Sequence, residues 1–307
     1  MHGRCLAKGA AQGNWAHAPL ARLMSERQAV VMRVPALIAL SLAAACAPPE
    51  RFFSDDIGIE AVPVDKGAHA GTFALRTTNT TQIAVPGIDP LEGGGENFRL
   101  VQRVYLADED VYQQRSELCG GFNYQVAGVV TAAPESTYQA VAPSEDEQVT
   151  IGEDGSYAST GHLQLWALHN LPNDRETTLP QERADAFEPP WTDRVFDMDG
   201  DDNPGFSLIV GSGLGDGKVF AMQRKTVDLA GIVLGPDRAI GLAHNANETL
   251  TLGADNPLID RDTEGSSQPH PDPKKSFFEE GRLADDATCD QVLSAIDDGV
   301  LDSLRPF

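Results

Sequence analysis

The chain has 307 residues, with 46 Asp and Glu against 23 Lys and Arg, and a formal net charge of -23. So acidic a surface repels nucleic-acid phosphates and anionic lipid head groups, which excludes a nucleic-acid binder and a protein that adsorbs directly on acidic membranes. A hydrophobic fraction of 41% suffices for a core, and 29 Gly with 20 Pro predict many turns and few long helices.

The charge is unevenly spread. Arg4, Lys8, Arg22, Arg27 and Arg33 precede Cys46 against Glu26 alone, whereas the remainder is strongly acidic. Met32-Arg33 leads into an apolar run and then into Ala43-Ala44-Ala45-Cys46. The run is too short to cross a ~30 Å hydrocarbon core as a permanent helix. Positive residues, an apolar stretch and small residues make the three-part pattern of a secretory signal. Met24 and Met32 lie nearer to it than Met1 and offer alternative starts; a long, removed leader is the other reading. Either way, residues 1–45 are expected to stand outside the fold.

Ala43-Ala44-Ala45-Cys46 resembles the lipobox of bacterial lipoproteins, where small residues precede a cysteine that is acylated and becomes the mature N-terminus. Ala43 occupies the usual Leu position, with Leu42 one place earlier, and ordinary signal-peptidase cleavage after Ala45 is the alternative. The resemblance implies lipidation of Cys46 and a membrane as partner through that lipid. Ala47, in place of an Asp, implies sorting to the outer membrane. The remaining cysteines agree with it. Cys5 leaves with the leader, and an acylated Cys46 would leave Cys119 and Cys289 as an even pair in an oxidising compartment, expected to form a disulfide. Two buried free thiols are the alternative.

Residues 46–70, Pro-rich and without periodicity, read as a tether, and 71–307 as a single β-rich domain. Gly71–Thr77, Phe98–Ala107, Phe122–Thr131, Gly161–Leu168 and Phe206–Leu214 show the two-residue period of half-buried strands. In the second of these, Phe98, Leu100, Gln102, Val104 and Leu106 share a face. Gly215-Asp216-Gly217-Lys218 signals a hairpin. Val219–Val227, Ala230–Leu234, Ala239–His244 and Glu248–Leu252 follow, with a turn at Gly235-Pro236-Asp237. Ala132–Gln148, Leu171–Trp191 and Asp260–Lys275 read as long loops. One helix is expected near the end, capped by Asp286, with Ala287, Val292, Leu293 and Ile296 as its apolar stripe. Many closely spaced strands without intervening helices predict a mainly β fold: an antiparallel sandwich or a lipocalin-like barrel with one short C-terminal helix.

The sharpest local motif is Asp197-Met198-Asp199-Gly200-Asp201-Asp202-Asn203-Pro204-Gly205. Aspartates at alternate positions aim hard oxygen ligands at one point. The segment resembles the calcium loops of dockerin, thrombospondin type 3 and EF-hand proteins, which implies calcium on Asp197, Asp199, Asp201 and Asn203. Asp202 replaces the turn glycine of those loops, and Leu208 stands where an EF-hand has its bidentate Glu. An acidic Asx turn between strands is the alternative. The wider stretch from Asp197 to Cys289 resembles an uncharacterised bacterial lipoprotein family. The matching pieces are the Asp-rich Pro-Gly loop, Val219–Arg224, Leu252–Pro257, Ser276-Phe277-Phe278 and Ala287-Thr288-Cys289. The resemblance implies no activity.

No segment specifies a reaction. Gly211–Lys218 lacks the P-loop glycine spacing and its Ser/Thr, and Val210 stands where a nucleophile elbow around Ser212 needs Gly. His69, His162, His169, His244 and His270 fall in no metal-binding spacing and read as surface or strand histidines. The leading expectation is a non-enzymatic, envelope-anchored β module with a structural or binding role and, at most, calcium as cofactor. A lipocalin-like carrier of a small apolar ligand and a periplasmic hydrolase are the alternatives.

Overall fold

A computed structural model describes residues 59–83, 89–123, 125–126, 128–211, 216–260, 267–299 and 301. The signal segment, Cys46 and the first part of the expected tether lie outside the described residues.

The strands are β1 (Gly71–Ile83), β2 (Leu91–Leu106), β3 (Val111–Asn123), β4 (Val130–Ala132), β5 (Ser144–Ile151), β6 (Ser156–Trp166), β7 (Phe206–Gly211), β8 (Gly217–Val233), β9 (Arg238–Ala254), β10 (Ser267–Pro269) and β11 (Phe277–Arg282). The helices are α1 (Glu135–Ala140) and α2 (Cys289–Asp297). The mainly antiparallel β class with a short C-terminal helix is as expected. The pairing order runs β8-β6-β5-β3-β2-β1-β11-β9, and β9 pairs back onto β8. Eight antiparallel strands therefore form a closed circuit, the barrel form of the expected class, which leaves no free edge around the ring. The beginning of β8 extends past β6 and pairs there with β7, which carries β4.

Several boundaries differ from the expected ones. Val219–Val227 and Ala230–Leu234 are one strand, β8, and Ala239–His244 and Glu248–Leu252 are one strand, β9. Their register is continuous from Val219↔Ala254 to Val233↔Ala239 apart from one bulge, so intervening polar residues sit inside a ladder. The expected strand Phe122–Thr131 divides between the end of β3 and the start of β4. Ala132–Gln148, expected as a loop, contains α1 and the first half of β5, which pairs with β3 inside the circuit. The helix N-cap is Thr288, not Asp286: its hydroxyl and the Gln291 side chain form a capping box.

The apolar face of β2 points outward. Phe98 and Leu100 pack with Ala74 of β1 and with Val292, Leu293 and Ile296 of α2, which lies against the outside of β1–β3. Cys119 of β3 and Cys289, the first residue of α2, form the expected disulfide, with Cα atoms 5.0 Å apart. It closes a separation of 170 residues, worth about 5 kcal/mol in the chain-entropy account, an upper-end figure.

The other face of β2 carries Arg99, Val101 and Arg103 into the barrel, all buried. There Phe73, Leu75, Val101, Tyr112, Val149, Tyr157, Leu229 and Phe278 form an internal cluster. β9 lends the small residues Ala239, Gly241 and Ala243 to that side. A Cβ on Gly241 would stand 2.7 Å from the Phe278 ring and 2.2 Å from a β8 carbonyl, so this wall is thin to make room for the aromatic side. In β6 the bulge between Ser159 and His162, with Gly161 at φ +83, restores the alternation so that both buried side chains face the interior. A second cluster, including Leu118, Tyr138, Trp166, Met198, Phe206 and Phe220, lies where α1 and the 167–205 segment pack against the strands. Residues 59–70, expected as tether, belong to the domain: Val62 N–H donates to the Val233 carbonyl at 2.9 Å, Ile59 and Ala61 pack beside Ile232, and His69 is fully buried.

Candidate functional site

Six buried side chains from successive walls of the barrel form one hydrogen-bonded chain. His69 precedes β1; its Nε2 lies 2.8 Å from Oε1 of Glu280 on β11. Arg103 on β2 grips both Glu280 oxygens, Nη1 at 2.8 Å and Nη2 at 2.7 Å, a bidentate charge-assisted pair. Arg103 Nη2 also donates to Oε1 of Gln114 on β3, at 2.7 Å. Gln114 Nε2 donates to Oε2 of Glu147 on β5 at 2.8 Å. The Glu147 Oε1 atom lies 2.6 Å from Nδ1 of His162 on β6. Apart from His69, each of these side chains alternates inward from its strand, which is how a barrel brings them together without any sequence motif.

The electrostatics follow from burial and pairing. Burial alone would raise the Glu280 carboxyl, but the Arg103 charge, with hydrogen bonds from Arg103 and His69, holds it below the usual carboxylate range. Glu147 behaves alike: against burial, His162, Ser144 and Gln114 bring it down to about 2. Burial lowers His162, outweighing the opposing pull of Glu147. A neutral His162 donates through Nδ1 to Glu147, and its Nε2 lies 3.3 Å from the Gln114 amide nitrogen, which can donate to it. Arg103 stacks over Phe73 and Tyr157, its guanidinium carbon 4.9 and 5.6 Å from the ring centroids.

Two further cations face the same interior and are treated differently. Arg99 on β2 is 1% exposed, and none of its three guanidinium nitrogens has a hydrogen-bond partner among the described residues. Lys225 on β8 is 7% exposed and likewise makes no hydrogen bond or ion pair with a described residue. Burial first, and then the Arg99 charge, push the Lys225 amine down to about 7. Burial also lowers Arg99, against the pull of Glu147.

Ser116, His162 and Glu147 do not compose a hydrolytic triad. Ser116 Oγ donates to Glu147 at 3.3 Å and stands 3.5 Å from His162 Nδ1, the nitrogen Glu147 already occupies. A triad needs the acid and the nucleophile on opposite ring nitrogens. Ser212 and the rest of 212–215 lie outside the described residues.

The Asp-rich loop brings Asp197, Asp199 and Asp201 together, one oxygen of each within 4.8 Å of the others. Much of their capacity is already used. Asp197 accepts the backbone N–H groups of Gly200, Asp201 and Asp202. Asp202 adopts φ +67, the left-handed conformation that a glycine supplies in the calcium loops it resembles. Asp199 Oδ2 accepts the Thr137 hydroxyl and the Ser207 N–H, both at 2.8 Å, whereas its buried Oδ1 has no partner among the described residues. Asp201 Oδ2 takes the Ser207 hydroxyl at 2.7 Å and Lys218 Nζ at 2.9 Å. Against partial burial, these bonds bring Asp201 down to about 2. The Asn203 amide turns back onto Asp201, its Nδ2 donating at 3.1 Å to the carbonyl and to Oδ1.

Comparison with protein-family models, with curated proteins and with solved structures yields no match to this chain. The interior residues carry no motif. The signal available in the sequence was parity: Arg99 and Arg103 alternate with Phe98 and Leu100, so one of the two sets has to be buried against something other than solvent.

Proposed function

We propose that this protein is an exported, lipid-anchored barrel with a non-enzymatic binding role in the bacterial cell envelope. The observation that carries the binding role is the interior itself. Charged and amide side chains from five barrel strands and from His69 are buried there in an ordered relay. A barrel serving only as scaffold fills more cheaply with aliphatic side chains, because buried ion pairs seldom exceed an apolar filling in stability. An interior of this polarity suits a polar ligand and disfavours the apolar ligand of a lipocalin-like carrier.

Anchoring rests on the lipobox resemblance at Ala43–Cys46, with the membrane as partner through lipid on Cys46. The Cys119–Cys289 disulfide agrees with an oxidising compartment. Calcium is proposed as a secondary, stabilising ligand of Asp197, Asp199 and Asp201, with the Asp199 Oδ1 atom the oxygen most available to it. The anchor is tested by fractionating cells that express the chain or its Cys46→Ser variant. The native chain is expected in the membrane fraction; the variant is expected in the soluble fraction or unprocessed. A variant that is cleaved normally and still sediments with membranes would overturn the anchor.

A further inference from the structure

Arg99 on β2 and Lys225 on β8 both face the barrel interior, from strands on different sides of the circuit. Both cations are more than nine-tenths buried, and neither is hydrogen-bonded to a described residue. The carboxylates that might have served them are taken. Glu280 is held by Arg103 and His69, and Glu147 by His162, Gln114 and Ser116. Gln164, paired with Lys225 across β6 and β8, also has an oxygen, Oε1, without a partner among the described residues. Arg99 therefore leaves its guanidinium donors unused, and the two cations carry positive charge that no hydrogen bond neutralises.

We propose that Arg99 and Lys225 form an oxyanion-binding site inside the barrel, taking a small molecule through its carboxylate or phosphate group. Arg99 offers a planar fork of donors that matches two oxygens of such a group, and Lys225 a compact second charge. An eight-stranded barrel is wide enough for its own side chains or for one small ligand, which limits any guest to a small molecule. Access follows from the topology. β11 pairs with β9 only as far as Leu242 and with β1 only as far as Thr78. β8 and β9 continue together to Ala254, and β1 and β2 to Ile83. Beyond β11, Ser276 and β10 close the wall beside β1 and β9, with Ser276 accepting the Ala243 N–H and β10 pairing with Thr81–Ile83, so this short, non-strand stretch is where the wall is least continuous, next to half-buried Asn245 and exposed Ala246 to Thr249. This inference rests on the binding role proposed above but not on the anchor, so failure of the Cys46→Ser test leaves it standing.

The test titrates the purified full chain with sodium phosphate and, separately, sodium acetate, each against sodium chloride of equal ionic strength. Melting temperature and tryptophan fluorescence are followed. At least one oxyanion is expected to raise the melting temperature in a saturable way. Arg99→Met and Lys225→Met should each weaken its apparent Kd tenfold or more. Without added anion, Arg99→Met should melt no lower than the native chain, because it removes a buried charge that has no bonded partner. Should Arg99→Met fail to fold, Lys225→Met and Arg99→Lys are read in the same titration, with weakening expected in both. Two results would overturn the site: neither oxyanion stabilises the native chain beyond chloride, or the variants respond as the native chain does.

Discussion

Two arginines on one strand, four residues apart and facing the same interior, are in opposite states. Arg103 donates to Glu280, Gln114 and Tyr157 and lies over two aromatic rings. Arg99 donates to no described residue. Burial is nearly equal, at 3% and 1% exposure, so burial alone does not separate a structural cation from a functional one. The count of satisfied donors does. A guanidinium whose donors are all directed at the protein holds the walls together; one whose donors are unused keeps its binding capacity at the protein's own expense.

The largest expected effect breaks this comparison at its structural end. Arg103→Met leaves Glu280 buried with His69 and Tyr157 as its polar partners among the described residues. Stranding one member of a buried pair costs about 3–5 kcal/mol. Urea unfolding of the two methionine variants should show Arg103→Met far below the native chain and Arg99→Met level with it or above. Equal losses at the two positions would abolish the distinction between them.

A smaller effect sharpens the comparison through pH. Glu147 titrates at about 2 in the folded chain against an ordinary 4.5, and burial lowers His162 from its ordinary 6.5. Both folded-state values are depressed, so the unfolded chain binds more protons on acidification. The stability these groups contribute is present above their unfolded pKa values and is lost as pH falls. His162 should begin the loss below about pH 6.5, and Glu147 should continue it from about pH 4.5 towards about 2. A decline on the order of 2–3 kcal/mol between pH 5 and pH 2 is expected from Glu147. Glu147→Gln should be less stable than the native chain at neutral pH but show a shallower acid decline. An unchanged slope in that variant would place the titrating group elsewhere.

The sequence made the outer layer of the fold legible and hid the inner one. Phe98 and Leu100 announced β2 correctly, yet the face they mark is covered by α2 and tied there by Cys119–Cys289. β3 and β5 were unreadable for the same reason that they matter. Gln114, Ser116 and Glu147 are polar because they face the interior relay, and a polar-in strand imitates a solvated loop. β11 is six residues long and carries Glu279 and Glu280 at 0% exposure, which no hydropathy rule places in a core. The Asp-rich loop, by contrast, is local. Its carboxylates converge through residues within a few positions of one another, so spacing sufficed to find it. What spacing could not reveal is Lys218, brought onto Asp201 by the β7–β8 pairing.

That lysine sets the smallest predicted effect. The same counting of partners applies to the loop: Asp197 is used by backbone donors and Asp201 by Ser207, Lys218 and Asn203, whereas Asp199 Oδ1 is unused. Calcium would have to share Asp201 with an ammonium at 2.9 Å, so its site should be weak, of the ~10⁻⁴–10⁻³ M class. At a tenfold excess over Kd, a ligand bound only by the folded state adds about 1.4 kcal/mol, a rise of roughly 3–5 °C for a domain of this size. Millimolar Ca²⁺ should give such a rise, Asp199→Ala should abolish it, and Mg²⁺ should give less because it demands tighter octahedral geometry. Lys218→Met separates an ion site from an acidic turn most cleanly. In the absence of calcium it leaves three carboxylates without their one cationic side-chain partner among the described residues and should lower the melting temperature. With calcium added, the ion replaces the ammonium, and the rise should exceed that of the native chain. A lysine variant that melts lower and gains nothing from calcium would show that Lys218 is itself the cation this loop was built to hold.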